Sequence, residues 1–387
     1  RNPQLHGGMQ AADTTSCGRL SGQVRNAQMT RPHNLTVAAA CASMHWLTAA
    51  QDLSAAPAAA MPKSAREART AVAVMLSADT YLDGLQWAFG SWDEFILSKQ
   101  TSLLLFVPVS NSGLGSKLLQ NESWPETLLG CSRCGEIYHT CERWRSPRLN
   151  SVFICKVRVQ VPFILGGDLE TVRSRARQGL RTDYCGGKGV EYAVATKWYT
   201  FPMLREPIWE IFDFWAKVDI DVCVHRRVDL AEELVDAGGY FLHTGLVRED
   251  PSCERALGDF LTLYASQMTC NRLQPSRALP YEAFTNAFQH PQVAYSNFVV
   301  GWLGFWRSPA VLRFAHLWHS WDGGWMNRWG DQQFWMPALR MHNVSDRLIL
   351  NRRQWRMAQP VLFEHVSAAY SGRRPIKHTC HGNTLAF

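Results

Sequence analysis

Hydrophobic and polar positions follow two distinct patterns between residues 70 and 161. Residues Ala71–Leu76 form a continuous apolar run, and two further runs lie at 101–109 and 151–161. Uninterrupted apolar runs of this length are typical of strands buried on both faces of a parallel sheet. Between the first two runs, residues Tyr81–Trp92 carry apolar side chains at helical spacing. This order predicts an α/β fold with a mostly parallel sheet flanked by helices.

The second half of the chain contains segments of both kinds. Residues Pro207–Trp215 have the spacing of a helix, Lys217–His225 resemble a strand, and "GGYFLHTGLV" is a further predicted strand. The clearest helix follows Ser308, a residue type that caps helices, and starts at Pro309. Gly323-Gly324 predicts its end. Its apolar face comprises Val311, Phe314, Ala315, Trp318 and Trp321.

Residues 1–65 lack either pattern and are rich in Ala, Ser, Gln, Pro and Asn. They predict a disordered stem or linker before one large domain over residues 66–387. The 387 residues are 46% apolar and 19% charged, which is the composition of a globular protein. No stretch is suited to span a bilayer, so membrane attachment would need an anchor outside this chain.

The net charge of +7 could serve nucleic acid, an acidic membrane surface or an anionic substrate. Lysines and arginines are scattered rather than clustered, which argues against nucleic acid. Eleven cysteines and three glycosylation triplets, beginning at Asn34, Asn121 and Asn343, favour the secretory lumen. The odd cysteine count leaves at least one thiol unpaired.

The segment "CSRCGEIYHTC" allows two interpretations. Cys131, Cys134, His139 and Cys141 could bind zinc, but the spacing is cramped and no second Cys-x₂-Cys follows. In an oxidising lumen, disulfides with Cys155 or Cys185 are the favoured alternative. A weak phosphate-loop pattern, "GGKG" at 186–189, lacks the spacing of a true phosphate loop and indicates a plain turn.

The segment "KVDIDVCV" carries the sharpest chemical signal. Asp219 and Asp221 are two positions apart, so their side chains point the same way on an extended segment. Two adjacent carboxylates repel unless a cation lies between them. Mn²⁺ or Mg²⁺ bound to a nucleotide diphosphate is such a cation. The simpler alternative is a solvated strand end.

A second chemical signal is "GGWMNRWGDQQFW" at 323–335, which combines three tryptophans with Arg328 and Asp331. We interpret it as a rigid turn that presents polar groups from an aromatic wall, as ligand pockets do. The alternative is that Asp331 caps the following helix, in which Pro337 predicts a kink.

These motifs resemble the fungal glycolipid 2-α-mannosyltransferase family. The resemblance rests on "FDFWAKVDIDVCVHRRVDL", "YSNFVVGWLGFWRSPAVLRF" and "GGWMNRWGDQQFWMPAL", and extends over residues 68 to about 370. It implies a GT-A nucleotide-sugar transferase fold and a Golgi or ER-lumenal type II membrane enzyme. It also implies a retaining transfer of mannose from GDP-mannose, of α-1,2 type, to a glycan or glycoconjugate hydroxyl with Mn²⁺.

The resemblance also implies roles for individual residues. Asp221 would bind the metal with Asp219 beside it on the donor side, and His365 would be the metal-binding histidine, with His378 and His381 as rivals. Tyr192 and Lys197 would contact the donor. The catalytic acceptor side would contain Arg328 and Asp331, with Trp325 and Trp329 as a sugar-stacking wall.

One position departs from the family pattern. The glutamate of the family's Ser-Asn-Phe-Glu motif, a proposed nucleophile, is Val299 here. Valine cannot attack a sugar carbon, so transfer would use the front face or another carboxylate, or the protein would be inactive. Three alternatives remain. The first is a transferase of the same fold that uses a UDP-sugar, and the second, which Val299 supports, is a catalytically inactive glycan-binding relative. The third is a zinc-stabilised interaction protein, which rests on the segment that begins at Cys131.

Overall fold

The structure is a computed structural model that describes residues 60–76, 80–109, 123–159, 161, 170–171, 174, 190–220, 222–249, 257–270, 292–321, 325, 329–342, 344–352 and 363–365. The stem expected over residues 1–65 lies almost entirely outside these ranges. In the part of the chain that is described, no helix is both long and apolar enough to cross a membrane.

The strands of the described residues are β1 Thr70–Met75, β2 Thr101–Pro108, β3 Ser132–Tyr138, β4 Cys141–Arg145, β5 Ser151–Val157, β6 Phe214–Val218, β7 Val222–Val224, β8 Phe241–His243, β9 Leu246–Arg248, β10 Gln292–Ala294, β11 Phe298–Trp302, β12 Ile349–Asn351 and β13 Phe363–His365.

The α-helices are α1 Thr80–Phe95, α2 Trp124–Leu129, α3 Val190–Thr200, α4 Pro202–Arg205, α5 Glu232–Ala237, α6 Leu257–Cys270, α7 Leu303–Trp306, α8 Pro309–Ser320 and α9 Asp331–Met341. Short 3₁₀ helices occupy Pro207–Ile211 and Asp346–Leu348.

Nine strands form the central sheet in the order β12-β8-β11-β6-β1-β2-β5-β4-β3. Strand β1 pairs in parallel with β2 and β6, and β2 pairs in parallel with β5. Strand β11 is antiparallel to both β6 and β8, and β3 and β4 form an antiparallel hairpin at the other edge. Two small ladders, β9–β10 and β7–β13, lie outside this sheet.

Helices cover both faces of the sheet, as the apolar runs predict. Every residue of β1 and β2 is buried, because each strand contributes side chains to both faces. On one face, α1 packs through residues such as Leu85 and Trp92. On the other, α3, α8 and α9 form a core rich in tryptophan and phenylalanine. The predicted α/β fold with a mostly parallel sheet is therefore confirmed.

The predicted helix at Pro207–Trp215 is wrong beyond its first turn. The structure has a 3₁₀ helix at Pro207–Ile211, and the chain then enters β6 at Phe214. All five residues of β6 are buried, including Trp215 and Lys217. A central strand this short, with a charged residue in it, carries no alternating pattern from which it could be recognised.

The predicted helix after Ser308 is confirmed. It spans Pro309–Ser320 and buries Val311, Phe314, Ala315 and Trp318, although the Ser308 side chain makes no capping hydrogen bond. Pro337 lies inside α9, which continues to Met341.

A disulfide joins Cys141 of β4 to Cys155 of β5, while Cys131 and Cys134 are free thiols. The zinc interpretation required Cys141 as a thiolate and is therefore not supported. The other predicted partner, Cys185, lies outside the described residues, as does "GGKG".

Candidate active site

The candidate site lies where parallel strands of the central sheet end. Asp219 follows the last residue of β6, and β6 is parallel to its neighbour β1. Ligands of open α/β sheets bind beyond the carboxyl ends of such strands. Ser296 and Asn297 reach the same edge, because they precede β11, which runs antiparallel to β6 with Phe298 opposite Val218.

Lys217 organises the charges at this edge. Its amine donates to Asp219 Oδ1 at 2.6 Å and to the Ser296 carbonyl oxygen at 2.8 Å. It also lies 3.0 Å from Asp331 Oδ2, in a charge contact that lacks the angles of a directed hydrogen bond. One ammonium thus connects two carboxylates that are far apart in the sequence.

The three charged side chains differ in their access to solvent. The side chains of Lys217 and Asp331 are 7% and 3% exposed, whereas that of Asp219 is 33% exposed. Burial alone would lower the pKa of Lys217, but Asp219 and Asp331 outweigh it and hold that pKa well above its ordinary value. The cluster therefore places two carboxylates around one ammonium, and Asp219 is its most solvent-accessible member.

Helix α3 closes one side of the cluster through Tyr199. The Lys217 amine lies 5.3 Å from the centre of the Tyr199 ring, within the range of a cation–π contact. The Tyr199 hydroxyl accepts a hydrogen bond from the Met75 amide at 2.9 Å. Burial raises the pKa of Tyr199, so its hydroxyl stays protonated. This residue therefore ties α3 to the end of β1.

Helix α9 delivers Asp331 from its first position. The cap residue is Gly330, whose amide donates to Gln333 Oε1 at 3.0 Å, so Asp331 is free to contact Lys217 instead of capping the helix. A Cβ atom on Gly330 would come within 2.7 Å of Thr196 Cβ in α3. The close approach of α3 and α9 therefore requires glycine at this position.

Val299 lies in the same strand register as the cluster. It is fully buried, and it is opposite Lys217 of β6 on one side and His243 of β8 on the other. The carboxylate that the family carries at this position would thus lie beside the ammonium. In this chain Asp219 and Asp331 compensate the charge of Lys217.

Of the predicted metal residues, His365 lies within the described part of the chain. Asp221 lies outside the described residues, but His365 of β13 is in register with Val222, the residue that follows Asp221. Within the described ranges, no three His, Cys, Asp or Glu side chains converge on a common point. Two carboxylates and an imidazole are nevertheless a donor set that suits Mn²⁺, so the chemistry of these residues fits the metal. The rival histidines, His378 and His381, lie outside the described residues.

The predicted donor residues lie on α3. Tyr192 is half-buried near the start of the helix. Lys197 is buried, and its amine donates to the Trp318 carbonyl oxygen at 3.0 Å and lies above the Trp318 ring. Burial holds the pKa of Lys197 well below its ordinary value. In this conformation Lys197 packs α3 against α8, and a phosphate cannot reach its amine.

Trp325 and Trp329 do not form the ligand-facing aromatic wall that the sequence predicted around Arg328. Trp325 and Trp329 are buried, and Trp329 packs against Trp318 and Phe260 in the core. A sequence rich in tryptophan does not reveal whether the rings face a ligand or other rings, and here Trp329 packs against core rings and Trp325 against His319. Arg328 itself lies outside the described residues.

Lys217 is the functional residue that the sequence interpretation missed. The available signal was a lysine inside the otherwise apolar "FWAKV", two positions before an aspartate and therefore on the same side of the strand. A charged residue in a fully buried strand needs a partner.

No protein-family model matches the sequence, and no curated protein matches it. Among solved structures, the chain is similar to the mannosyltransferase Ktr4p of S. cerevisiae in complex with GDP, with a TM-score of 0.52 and 12% identity over 87% of this chain and 82% of that chain. Core-mannan synthase A from Aspergillus fumigatus, in an Mn/GDP form, gives a TM-score of 0.49 and 14% identity over 74% of this chain and 70% of that chain. The likeness to Ktr4p and the sheet described above establish that this chain has a GT-A-like fold.

Proposed function

We propose that this protein is a glycosyltransferase that moves a hexose from a nucleotide sugar to a glycan or glycoconjugate hydroxyl. The observation that carries the proposal is the Lys217–Asp219–Asp331 cluster at the carboxyl edge of parallel strands, in a GT-A-like fold. The most specific form of the proposal is retaining α-1,2 transfer of mannose from GDP-mannose. The GDP bound to the structurally similar Ktr4p supports a guanine nucleotide.

Asp219, Asp221 and His365 would hold the divalent metal, Mn²⁺ or Mg²⁺. The register of His365 with Val222 supports this set, since it brings the backbone of the histidine next to the acidic pair. When bound, such a metal would offset the charge of the diphosphate leaving group. Lys217 neutralises one carboxylate of the cluster and keeps Asp219 oriented at the strand end.

The other predicted residues keep the roles that the family resemblance implies, as proposals. Tyr192 is half-buried on α3 and would contact the donor. Arg328 and Asp331 would act on the acceptor side, and Asp331 would act through Lys217 because its own carboxylate is buried. For Lys197, a direct contact with the donor would first require its amine to leave the Trp318 carbonyl.

The reaction that this site supports is a front-face displacement. The acceptor hydroxyl oxygen bonds to the anomeric carbon on the face from which the phosphate departs. The bond between that carbon and the phosphate oxygen breaks, and the electron pair leaves with the nucleoside diphosphate. The hydroxyl proton passes to the departing phosphate oxygen. No enzyme nucleophile is needed, which agrees with valine at position 299.

A Golgi or ER-lumenal location is part of the proposal. The Cys141–Cys155 disulfide supports it, because such bonds persist in oxidising compartments.

The decisive experiment is a binding screen of GDP- and UDP-sugars by calorimetry, with and without Mn²⁺. Metal-dependent binding of one donor, followed by product formation with a glycan acceptor, supports the proposal. Asp221→Ala should abolish metal-dependent nucleotide binding, because it removes a metal ligand. The circular dichroism spectrum should stay unchanged, because the substitution removes one of two carboxylates that repel each other. If the Asp221→Ala protein binds nucleotide with Mn²⁺ as tightly as the parent, the metal assignment is wrong.

A second candidate function is glycan binding without catalysis. The observation that favours it is the complete burial of Val299 beside Lys217, where the family has a carboxylate. A parent protein that binds glycans but forms no product with any GDP- or UDP-sugar would support this alternative over the transferase.

A further inference from the structure

Asn297 is a buried polar side chain with no visible purpose in the fold. Asn297 is 3% exposed, and neither its Oδ1 nor its Nδ2 atom has a hydrogen-bond partner among the described residues. Buried amides are nearly always paired, so an unpaired one needs an explanation. Asn150 is a useful contrast, because its Nδ2 donates to the Asp93 backbone oxygen and to Asp93 Oδ1.

The position of Asn297 connects it to the charged cluster. Its backbone carbonyl accepts a hydrogen bond from the Asp219 amide at 2.9 Å. The preceding residue, Ser296, accepts a hydrogen bond from Lys217 through its carbonyl oxygen. The backbone of Ser296 and Asn297 is thus held by Lys217 and Asp219, while the carboxamide of Asn297 is left unused.

A second unused polar group lies on the neighbouring strand. Thr244 is buried, and its Oγ1 has no hydrogen-bond partner in the described part of the chain. It follows His243, which is opposite Val299, so its backbone lies one position beyond the paired residues of β8 and β11. In this register Thr244 comes opposite Phe298, which packs on the other face of the sheet from Val299, so the register assigns Thr244 to the face away from Lys217.

We propose that Asn297 is a subsite residue for the hydroxyl groups of the transferred sugar and determines which hexose is accepted. This inference rests on the proposed function and deepens it. A carboxamide offers both donors and an acceptor. Neighbouring hydroxyls of a hexose have the same dual character, so they can satisfy all of these atoms. A diphosphate, which only accepts, would leave Asn297 Oδ1 unpaired.

The test separates the sugar from the nucleotide. Calorimetry with Mn²⁺ would compare GDP and the donor found in the screen, GDP-mannose first, on the parent, Asn297→Ala and Thr244→Val. We expect Asn297→Ala to weaken binding of the nucleotide sugar by about 10- to 100-fold, because a site built for a hydroxyl is left incomplete. Thr244→Val removes an unpaired hydroxyl on the other face and should leave this binding unchanged. Binding of GDP should change less than about twofold, which is below the loss expected for one hydrogen bond.

Thermal unfolding of the ligand-free proteins excludes a merely structural role. Asn297→Ala removes an unpaired group, so we expect its unfolding temperature to equal or exceed that of the parent. The matched variant Asn150→Ala breaks two hydrogen bonds and should unfold at a lower temperature, with unchanged affinity for the nucleotide sugar. Binding of the nucleotide sugar by Asn297→Ala at parent affinity would overturn the inference. The inference would also be overturned if Asn297→Ala lost affinity equally for the nucleotide and the nucleotide sugar and unfolded at a lower temperature than the parent.

The failure of the proposed function is distinguishable from the failure of this inference. If the parent binds no nucleotide, the transferase proposal fails, and saturation-transfer NMR with free mannose, xylose and glucose then tests the subsite alone. A sugar signal that Asn297→Ala abolishes would support the subsite without the transferase. The same signal from parent and variant, or none from either, would overturn the subsite.

Discussion

Lys217 holds a positive charge inside the sheet, so its removal has a consequence for stability that can be measured. Lys217→Met keeps the length of the side chain and leaves Asp331 buried without a counter-charge. We expect a loss of about 3–5 kcal/mol in the free energy of unfolding, as for other broken buried pairs. Urea denaturation measures it.

The control for this prediction is the double variant Lys217→Met/Asp331→Leu, which replaces the buried pair by apolar groups. It should recover much of the lost stability, because no uncompensated charge remains. If Lys217→Met is as stable as the parent, the charge contact with Asp331 is unimportant to the fold.

Val299 is the position at which this chain differs from the mannosyltransferase motif that it resembles, and its burial next to Lys217 defines what a substitution will do. Val299→Glu introduces a carboxylate that can pair with the ammonium. We expect transfer to rise by about 10²- to 10³-fold, since a charge near the cationic sugar carbon stabilises the transition state. The larger side chain should cost about 1–3 kcal/mol of stability.

Val299→Gln has the same size without the charge and is the control for this comparison. Product formation should stay at the parent level in this variant. Equal rates for Val299→Glu and Val299→Gln would show that a charge at position 299 does not assist transfer.

At the scale of elements, the contact between α3 and α9 sets the position of Asp331. Gly330→Ala would drive a methyl group into Thr196, so we expect a loss of about 1–3 kcal/mol in the free energy of unfolding. The start of α9 must move away from α3, and Asp331 moves with it. Calorimetry should show weaker metal-dependent nucleotide binding in proportion to this displacement.

The double variant Gly330→Ala/Thr196→Gly removes the Thr196 Cβ atom and relieves the clash, so it should restore binding and part of the stability, less the cost of about 1 kcal/mol for a glycine within α3. If it restores neither, the effect of Gly330→Ala arises from backbone conformation and not from the contact with Thr196.

Elements with a clear pattern of apolar residues were predictable from the sequence, and elements fixed by tertiary contacts were not. The apolar runs predict β1, β2 and β5, and the spacing after Ser308 predicts α8. Strand β6 was hidden because a five-residue buried segment with a lysine has no period of its own. Lys217 of β6 and its partner Asp331 are over one hundred residues apart in sequence, and only the fold brings them together.

At the scale of the whole molecule, buried histidines make the fold sensitive to acid. Burial is the main cause that lowers the pKa of His243, His316 and His342 below the ordinary value. The unfolded chain therefore binds more protons than the folded one below a pH of about 6.5. The contribution of these three histidines to the free energy of unfolding is present above that pH and is lost as the pH falls. Unfolding temperatures between pH 8 and 5 measure the effect.

Glu206 acts in the opposite sense and provides the internal control. Burial is the main cause that raises its pKa to about 7, so its contribution to stability is full at low pH and is lost as the pH rises through 7. Glu206→Gln should therefore stabilise the protein at pH 8 and steepen its loss of stability toward pH 5.

Strand β11 connects the β8–β12 pair to the six strands on its other side in the described sheet. Its contacts with β6 close long loops, as in the bond between Lys217 and Ser296, which are separated by 79 residues. Contacts of such long range form slowly during folding. The insertion of β11 completes the sheet and brings Ser296, Asn297 and Val299 to the site in the same event. A chain that has not finished folding therefore has no partial site, and recovery of ligand binding after dilution from denaturant should report directly on the slowest step of folding.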